Sequence, residues 1–437
     1  MFSVRSAGRV MVKGAGWICQ AKYALLAAAY FSLAGLPTHA WAAGFTVYSQ
    51  GTAAMGQGNA FVAEANDPST IFYNPAGLNQ LQRPEIYAMV LVSSPKREFR
   101  GHTGHSSQTH QVFLPSGAFY LVYPVNSSVV LGFGAYAPFG QESRWPDSWE
   151  GRYITTYGNL KTYNLNPVIS VQLHPRLSIA LGLDAMLSTV RLKRKVALPF
   201  NLPDGDSKLQ GEGYGFGFNL GMLLEVMEGI KFGLSYRYQT DITYEGDLEL
   251  PQPAGFGLMQ VKLPASAKLT FPPMVTMGLS VSRCQPFVFN FDVTWTGWST
   301  FNAIDVRPSQ PIIFNGVPTT ALVQPRDWHD AWTFRFGMNY RVTDRVKLRL
   351  GYTYDLSAIP NSTFDPQIIN ANQHIFTLGG DLKLNRFTLG LAYNYLLGES
   401  RSKNNMITTN GVPAPLQANG SYQGTAQGLG LSLAYYF

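Results

Sequence analysis

The residues of this 437-residue chain best equipped for chemistry fall into a few groups, and none assembles a catalytic constellation. His102, His105 and His110 have spacings that suit a shared metal ion. The run from Gly101 to Pro115, however, is rich in Ser, Thr and Gln and holds no Cys, Asp or Glu to complete a ligand set, so it reads as a solvated polar loop. Asp204-Gly205-Asp206 lacks the further spaced carboxylates of a calcium loop. Gly211, Gly213, Gly215 and Gly217 superficially resemble a phosphate loop, but they alternate like the small face of a strand and no helix follows. There is no Gly-x-Ser-x-Gly elbow and no metalloprotease helix, so neither catalysis nor a metal or cofactor is expected. What remains is cationic. Arg191, Lys193, Arg194 and Lys195 form a cluster suited to phosphate groups, and Arg191, Arg326 and His329 are candidates to meet a carboxylate entering an apolar site. Asp327 and Asp330, beside Arg326 and His329, offer local neutralisation instead.

The elements that carry these residues are strands. From Glu85 onward, apolar and small or polar residues alternate with period two: Leu429, Leu431, Leu433, Tyr435 and Phe437 share one face, and Gly428, Gly430, Ser432 and Ala434 the other. Soluble sandwiches also alternate. The second face decides the matter. Trp332, Phe334, Phe336, Met338 and Tyr340 oppose Thr333, Arg335, Gly337 and Asn339; Lys231, Arg237, Asn290, Asp292, Lys347 and Arg349 occupy equivalent polar faces. An apolar, aromatic-ended outside and a polar inside describe an all-β transmembrane antiparallel barrel, whose closure leaves no unpaired edge in lipid.

Composition agrees, with 46% hydrophobic residues, 14% charged residues, 43 glycines, 23 tyrosines and 27 phenylalanines. Six short connections, such as Pro124 to Ser128 and Val342 to Arg345, alternate with seven long ones, such as Phe139 to Asn159 and Asp247 to Ala267, which implies about fourteen strands. Arg5, Arg9, Lys13 and Lys22, the apolar run Tyr23 to Leu36 and Ala40-Trp41-Ala42 form a secretory leader over residues 1–42, cleaved before Ala43. Cys19 leaves with it, so Cys284 is the single thiol of the mature chain and no intramolecular disulfide is expected. The net charge of +7 forms no basic stripe on a nucleic-acid-binding fold. The expected location is the outer membrane of a Gram-negative cell, as a monomer.

Residues 43–84 precede the barrel, residues 85–437, and are dominated by Gly and Ala, with Phe45, Tyr48, Phe61 and Phe72 as their apolar anchors and as candidate lining of a pocket for an apolar ligand. The segment closes on Asn74-Pro75-Ala76-Gly77, where Pro75 fixes its own φ and pushes Asn74 out of the α region, a pinned loop. Small residues directly after a leader, ending in Asn-Pro-Ala, resemble the N-terminal hatch of FadL-type outer-membrane transporters, which carry long-chain fatty acids or aromatic hydrocarbons. The likeness extends through Leu263-Pro264 and an expected strand running through Pro272 and Pro273, then Phe291 to Ser299 and Trp328-His329-Asp330-Ala331-Trp332, over nearly the whole mature chain.

The resemblance implies passive uptake of a hydrophobic small molecule: capture between long external loops, an apolar pocket at Ala43-Gly44-Phe45, and release by hatch movement. Aromatic-hydrocarbon uptake and a general polar porin are the alternatives. It also implies a lateral opening at the third strand, where Gly132, Gly134 and Pro138 weaken pairing. Lipopolysaccharide, membrane lipid and the barrel-insertion machinery are the expected partners. An aromatic carboxyl-terminal residue on an alternating strand resembles the signal that this machinery reads. Deleting Phe437 is therefore expected to slow membrane assembly more than it lowers the stability of folded protein, measured by pulse-chase of the folded band; unchanged kinetics would leave Phe437 an ordinary interfacial aromatic.

Overall fold

The structure, a computed structural model, describes residues 44–199, 202–254 and 257–437. The leader over residues 1–42 with its cleavage site and Cys19, and Ala43 at the expected mature terminus, lie outside the described residues. Fourteen antiparallel strands close into a barrel. They are β1 (Glu85–Gly101), β2 (Leu114–Pro124), β3 (Val129–Tyr136), β4 (Tyr157–His174), β5 (Leu177–Val196), β6 (Gly205–Met227), β7 (Ile230–Arg237), β8 (Met274–Val281), β9 (Phe287–Thr296), β10 (Ala331–Arg341), β11 (Val346–Asp355), β12 (Gln373–Leu384), β13 (Phe387–Gly398) and β14 (Gly420–Tyr436). Each pairs with its sequence neighbours, and β1 closes on β14 from Glu85↔Tyr436 to Gly101↔Gly420. Among the described residues no helix is long and apolar enough to cross a membrane.

Alternation sorts the faces. Outward side chains are apolar and bare, among them Leu183 (59% exposed), Phe216 (71%), Leu378 (59%) and Leu431 (56%). A soluble protein could not leave so much apolar surface in water, whereas lipid accepts it. Inward side chains such as Asn164, Asp184, Arg237, Asp292 and Arg335 are buried and polar.

Two stretches differ from the expected layout. Asp247 to Ala267 does not form an irregular loop. Thr240–Ala254 and Gly257–Phe271 pair in register and extend the wall beyond the barrel, because Leu248, Leu250 and Ala265 bury against Val306, Ile312 and Leu322. Nor does one strand run through Pro272 and Pro273. Neither proline has an N–H to give the ladder, so pairing stops at Phe271 and resumes at Met274.

A barrel of this size is wider than its own side chains can fill, and the segment before β1 lies inside it. Thr52–Gly56 and Thr70–Tyr73 are short α-helices, and Pro75–Gln80 is a 3₁₀ turn, all but Gln80 buried. Inward-facing glycines receive this hatch. A Cβ at Gly351 would collide with the backbone of Gln57 and Gly58, one at Gly233 with the carbonyl of Val62, and one at Gly379 would lie 2.8 Å from the Cα of Gly56. Gly132 and Gly134 of β3 similarly make room for Ile71, at 2.9 Å from either Cβ position. Polar side chains finish the seat. Asp292 accepts from the N–H groups of Phe61 (2.7 Å) and Val62 (2.9 Å), and Glu64 of the hatch accepts from Asn290 and Asn339, both at 2.7 Å.

Replacing Gly233 and Gly351 together by Val suits the strands but not the hatch. The double variant is expected to keep the heat-modifiable barrel and to raise single-channel conductance several-fold. Wild-type conductance, with hatch amides still protected from exchange, would show that these glycines are not the seat.

Candidate functional site

The hatch and barrel form two apolar clusters, one above the other. The first, near the short turns, joins Met55, Phe61, Ile71, Phe72, Tyr73, Ala76 and Leu78 of the hatch to Tyr87, Tyr120, Val130 and Tyr136 of the wall. Phe61 and Phe72 belong here. They pack on Tyr73 at ring-centroid distances of 5.5 and 4.9 Å and do not reach the second cluster. Tyr48 spans both, lying under the Arg335 guanidinium (4.0 Å) with its hydroxyl 3.4 Å from that of Thr296.

Phe45 occupies the centre of the second cluster, nearer the long loops. Its ring is surrounded by Trp298 at 4.7 Å, Trp328 at 5.9 Å, Phe139 and Phe271 at 6.1 Å, and Phe301 at 6.3 Å between centroids. Gly44 allows the approach: its φ is +63°, and a Cβ there would lie 2.5 Å from the Trp298 ring. The indole nitrogens of Trp298 and Trp328 are buried without a hydrogen-bond partner among the described residues. Unsatisfied donors in an apolar site suit an occupant carrying an acceptor. Phe139, Phe271 and Phe301 were not legible as site residues, although Phe139 and Phe271 stand where strands break, before Gly140 and Pro272, and broken strand ends turn side chains into the lumen.

The same hatch segment seals a break in the wall. β2 pairs with β3 only over Phe119–Pro124, and past Tyr136 the chain turns inward through Ala137, Pro138 and Phe139 before Gly140–Arg144 resumes pairing with β4. The hatch takes the vacant pairing. The Val47 N–H donates to the Pro138 carbonyl (2.8 Å), the Gly140 N–H donates to the Phe45 carbonyl (3.0 Å), and the Gln50 amide donates to Ala137 (2.7 Å). The break thus centres on Pro138, while Gly132 and Gly134 lie on regular strand facing the hatch.

The carboxylate-binding candidates fare differently. The expectation that Arg191 meets a ligand in the lumen fails on strand parity, because the inward residues of β5 are the even ones and Arg191 is exposed on the outer face. Arg326 is fully buried but spent, since it is ion-paired to Asp365 and donates to Gln367; the neutralising partner is Asp365, not Asp327 or Asp330. His329 is exposed at the loop end. A cation outside the expected set stands closer to the hatch. Arg401 lies over Phe364, a member of the cage cluster, at 4.2 Å, and among the described residues bonds only neutral oxygens, those of Ser357, Ile359, Asn361 and Asn370. Asn370 in turn donates to the carbonyl of Gly44 at 2.8 Å. Burial pushes the Arg401 guanidinium down to about 10, and the neighbouring Lys403 ammonium down to about 8. Nothing in the spacing of Arg401 and Lys403 within their long loop marks them.

Asn74 pins the turn under this assembly. Its amide nitrogen donates to the carbonyls of Val62 (2.7 Å) and, on β6, Met222 (2.9 Å), while its oxygen accepts from the Ala76 N–H (3.2 Å). Gly221 of β6 leaves room for that side chain.

A closed membrane barrel with its lumen occupied by a hatch and an aromatic cage beneath long loops has the architecture of an outer-membrane transport channel. Residues 33–437 match the family described as outer membrane protein transport protein (OMPP1/FadL/TodX), and the chain belongs to it. That family comprises transport channels and not enzymes. The chain is 24% identical to a long-chain fatty acid transport protein of Escherichia coli over 75% of its own length and 81% of that protein's. Its fold is similar to that of a Pseudomonas aeruginosa FadL homologue (TM-score 0.77, 19% identity, 90% of this chain and 100% of the other). It is also similar to that of the Ralstonia pickettii toluene transporter TbuX (TM-score 0.67, 16% identity, 90% and 100%).

Replacing Asn74 by Ala leaves two buried carbonyls without their donor, at about 1–3 kcal/mol each. The variant is expected to insert and fold but to lose hatch protection in hydrogen exchange and most of its uptake; unchanged uptake would remove the role assigned to the turn.

Proposed function

We propose that the protein is a passive outer-membrane channel for hydrophobic small molecules, long-chain fatty acids foremost, exported behind a leader cleaved at residue 42 and acting as a monomer. The observation that carries this reading is the aromatic cage filled by Phe45. A hatch side chain enclosed by five aromatic rings acts as a displaceable stopper, and the backbone on either side of it seals the break at Pro138. A greasy molecule entering between the loops competes for the cage. Displacing Phe45 costs the hatch its bonds to Pro138 and Gly140, which frees both the break and the path beneath. Long-chain fatty acids are supported by the similar proteins named for them and by Arg401, a guanidinium without a carboxylate partner among the described residues and linked to Gly44 through Asn370. A general polar porin fits poorly with a lumen held by the hatch core.

A second reading, neutral aromatic hydrocarbons, draws on the cage itself, whose rings enclose no cation. Paired ligands separate the two. Under the fatty-acid reading, Arg401→Gln is expected to weaken oleate binding about 10- to 100-fold and to leave methyl oleate unchanged, as loss of a charge-assisted hydrogen bond predicts. Equal or no losses, with tight toluene binding, would favour the hydrocarbon reading. Rapid sugar uptake in liposome swelling would sink both.

A further inference from the structure

Charges on the outer rim of the barrel are distributed unevenly. Most cations there have a carboxylate: Lys195 pairs with Asp147 (3.2 Å) and Asp206 (2.9 Å), Lys208 with Glu249 (3.1 Å), Lys262 with Asp247 (3.0 Å) and Lys268 with Asp241 (3.3 Å). Besides Arg100 near the end of β1, four exposed cations, Arg144, Lys161, Arg191 and Lys193, have no such partner among the described residues. All four lie together. The register aligns Arg144, Tyr157 and Lys193 in one row across three neighbouring strands, Glu142, Asn159 and Arg191 in the next, and Gly140, Lys161 and Thr189 in the third. Residues opposed in a register share a face, so these cations project together from the outer wall. Arg144 and Lys193 lean over the Tyr157 ring at 5.8 and 5.6 Å. The one carboxylate in the rows, Glu142, accepts from Asn159 at 2.7 Å and leaves an excess of three positive charges.

The next rows toward the barrel middle are apolar and bare: Tyr163 opposite Leu187, then Leu165 opposite Ala185. Rows two residues apart stand about 6.6 Å from one another along a strand, so the cationic field is about 13 Å tall and passes directly into lipid-facing surface. Unpaired cations at that level are expensive to keep unless an anion comes to them, and the surface below will accept only acyl chains. Both demands are met by a phosphorylated lipid standing against the wall. Because the patch is at the long-loop end, which faces outward in outer-membrane barrels, the leaflet concerned is the external one.

We infer that Arg144, Lys161, Arg191 and Lys193 form a binding site for the phosphate groups of lipopolysaccharide in the outer leaflet, beside the wall break at Ala137–Phe139. Arg offers a fork of donors to phosphate oxygens and Lys a point charge, and the Tyr157 ring holds two of the cations in place. The acyl chains then lie along Tyr163, Leu165 and Leu187. The site is independent of what the channel carries, and it fixes a bulky glycolipid next to the interruption in the wall.

The test titrates the purified mature protein with bisphosphorylated lipid A, with lipid A stripped of both phosphates, and with phosphatidylglycerol, reading bound lipid by native mass spectrometry. Wild-type protein is expected to prefer bisphosphorylated lipid A. The quadruple variant Arg144→Gln, Lys161→Gln, Arg191→Gln, Lys193→Gln is expected to bind it about 100-fold more weakly, as loss of several near-surface cations implies. A control variant of the ion-paired cations, Lys208→Gln, Lys262→Gln, Lys268→Gln, should retain it. Heat-modifiable migration confirms folding, and the double variant Arg191→Gln, Lys193→Gln gives the reading if the quadruple fails to insert. No preference for the phosphates, equal losses in patch and control variants, or equal capture of phosphatidylglycerol would each overturn the proposal.

Discussion

The structure depends on how a polar lumen too wide for its own side chains is filled. A barrel facing lipid must put its polar residues inside, and those residues then need hydrogen-bond partners out of bulk water. The hatch supplies them. Asp292 on β9 takes two backbone N–H groups from Phe61 and Val62; Thr353 on β11 donates to the carbonyl of Gly58, and Thr377 on β12 to that of Gly56. In return Glu64, a carboxylate carried inward by the hatch, is met by Asn290 and Asn339. Each side satisfies groups that the other would leave buried and unpaired, and the glycines of the wall allow backbone to meet backbone at that distance.

Filling of this kind is strong but divisible. The lower cluster is held by the Asn74 turn and by rings such as Phe72 and Tyr136, whose centroids are 5.3 Å apart. The upper end rests on Phe45, Gly44 and two backbone bonds to the bend in the wall. One short segment therefore occupies the cage and completes the wall at the same time. A single stretch of backbone touches both sites: the Phe45 ring fills the cage, its carbonyl accepts from Gly140, and the Val47 N–H donates to Pro138.

Above the cage the loops are organised by buried charge. Arg326 is enclosed by Asp365 and Gln367, and Lys403 donates to the Gln417 carbonyl (2.6 Å) and to Asn419 (2.9 Å). Such buried groups add little net stability, since desolvation offsets most of the attraction, but they make one loop arrangement far better than its competitors. Among the described residues Arg401 and Lys403 are both held by neutral oxygens alone. On the outer wall the same contrast recurs between the ion-paired cations of the extended hairpins and the bare row around Tyr157.

The placement of the small-residue segment inside the barrel was implied by its resemblance to a known hatch, whereas strand alternation, the identity of the two faces and the count of strands follow from period-two patterning, from connection lengths and from which residues lipid will accept. Those are local rules, readable one segment at a time. The inward direction of Arg335 and Asp292 and the outward direction of Leu431 needed nothing more. Arg191 was within reach of the same rule, since counting parity from the inward Asp184 puts it outside. What no local rule specifies is which distant residues share a space. Phe45, Phe139, Phe271, Trp328 and the turn that carries both Trp298 and Phe301 come from five separate places in the chain and meet because the barrel closes around the hatch. Asp365 reaches Arg326 ahead of the nearer Asp327 and Asp330 for the same reason: closure of the barrel and folding of its loops decide which charge is desolvated beside which, and proximity in sequence does not.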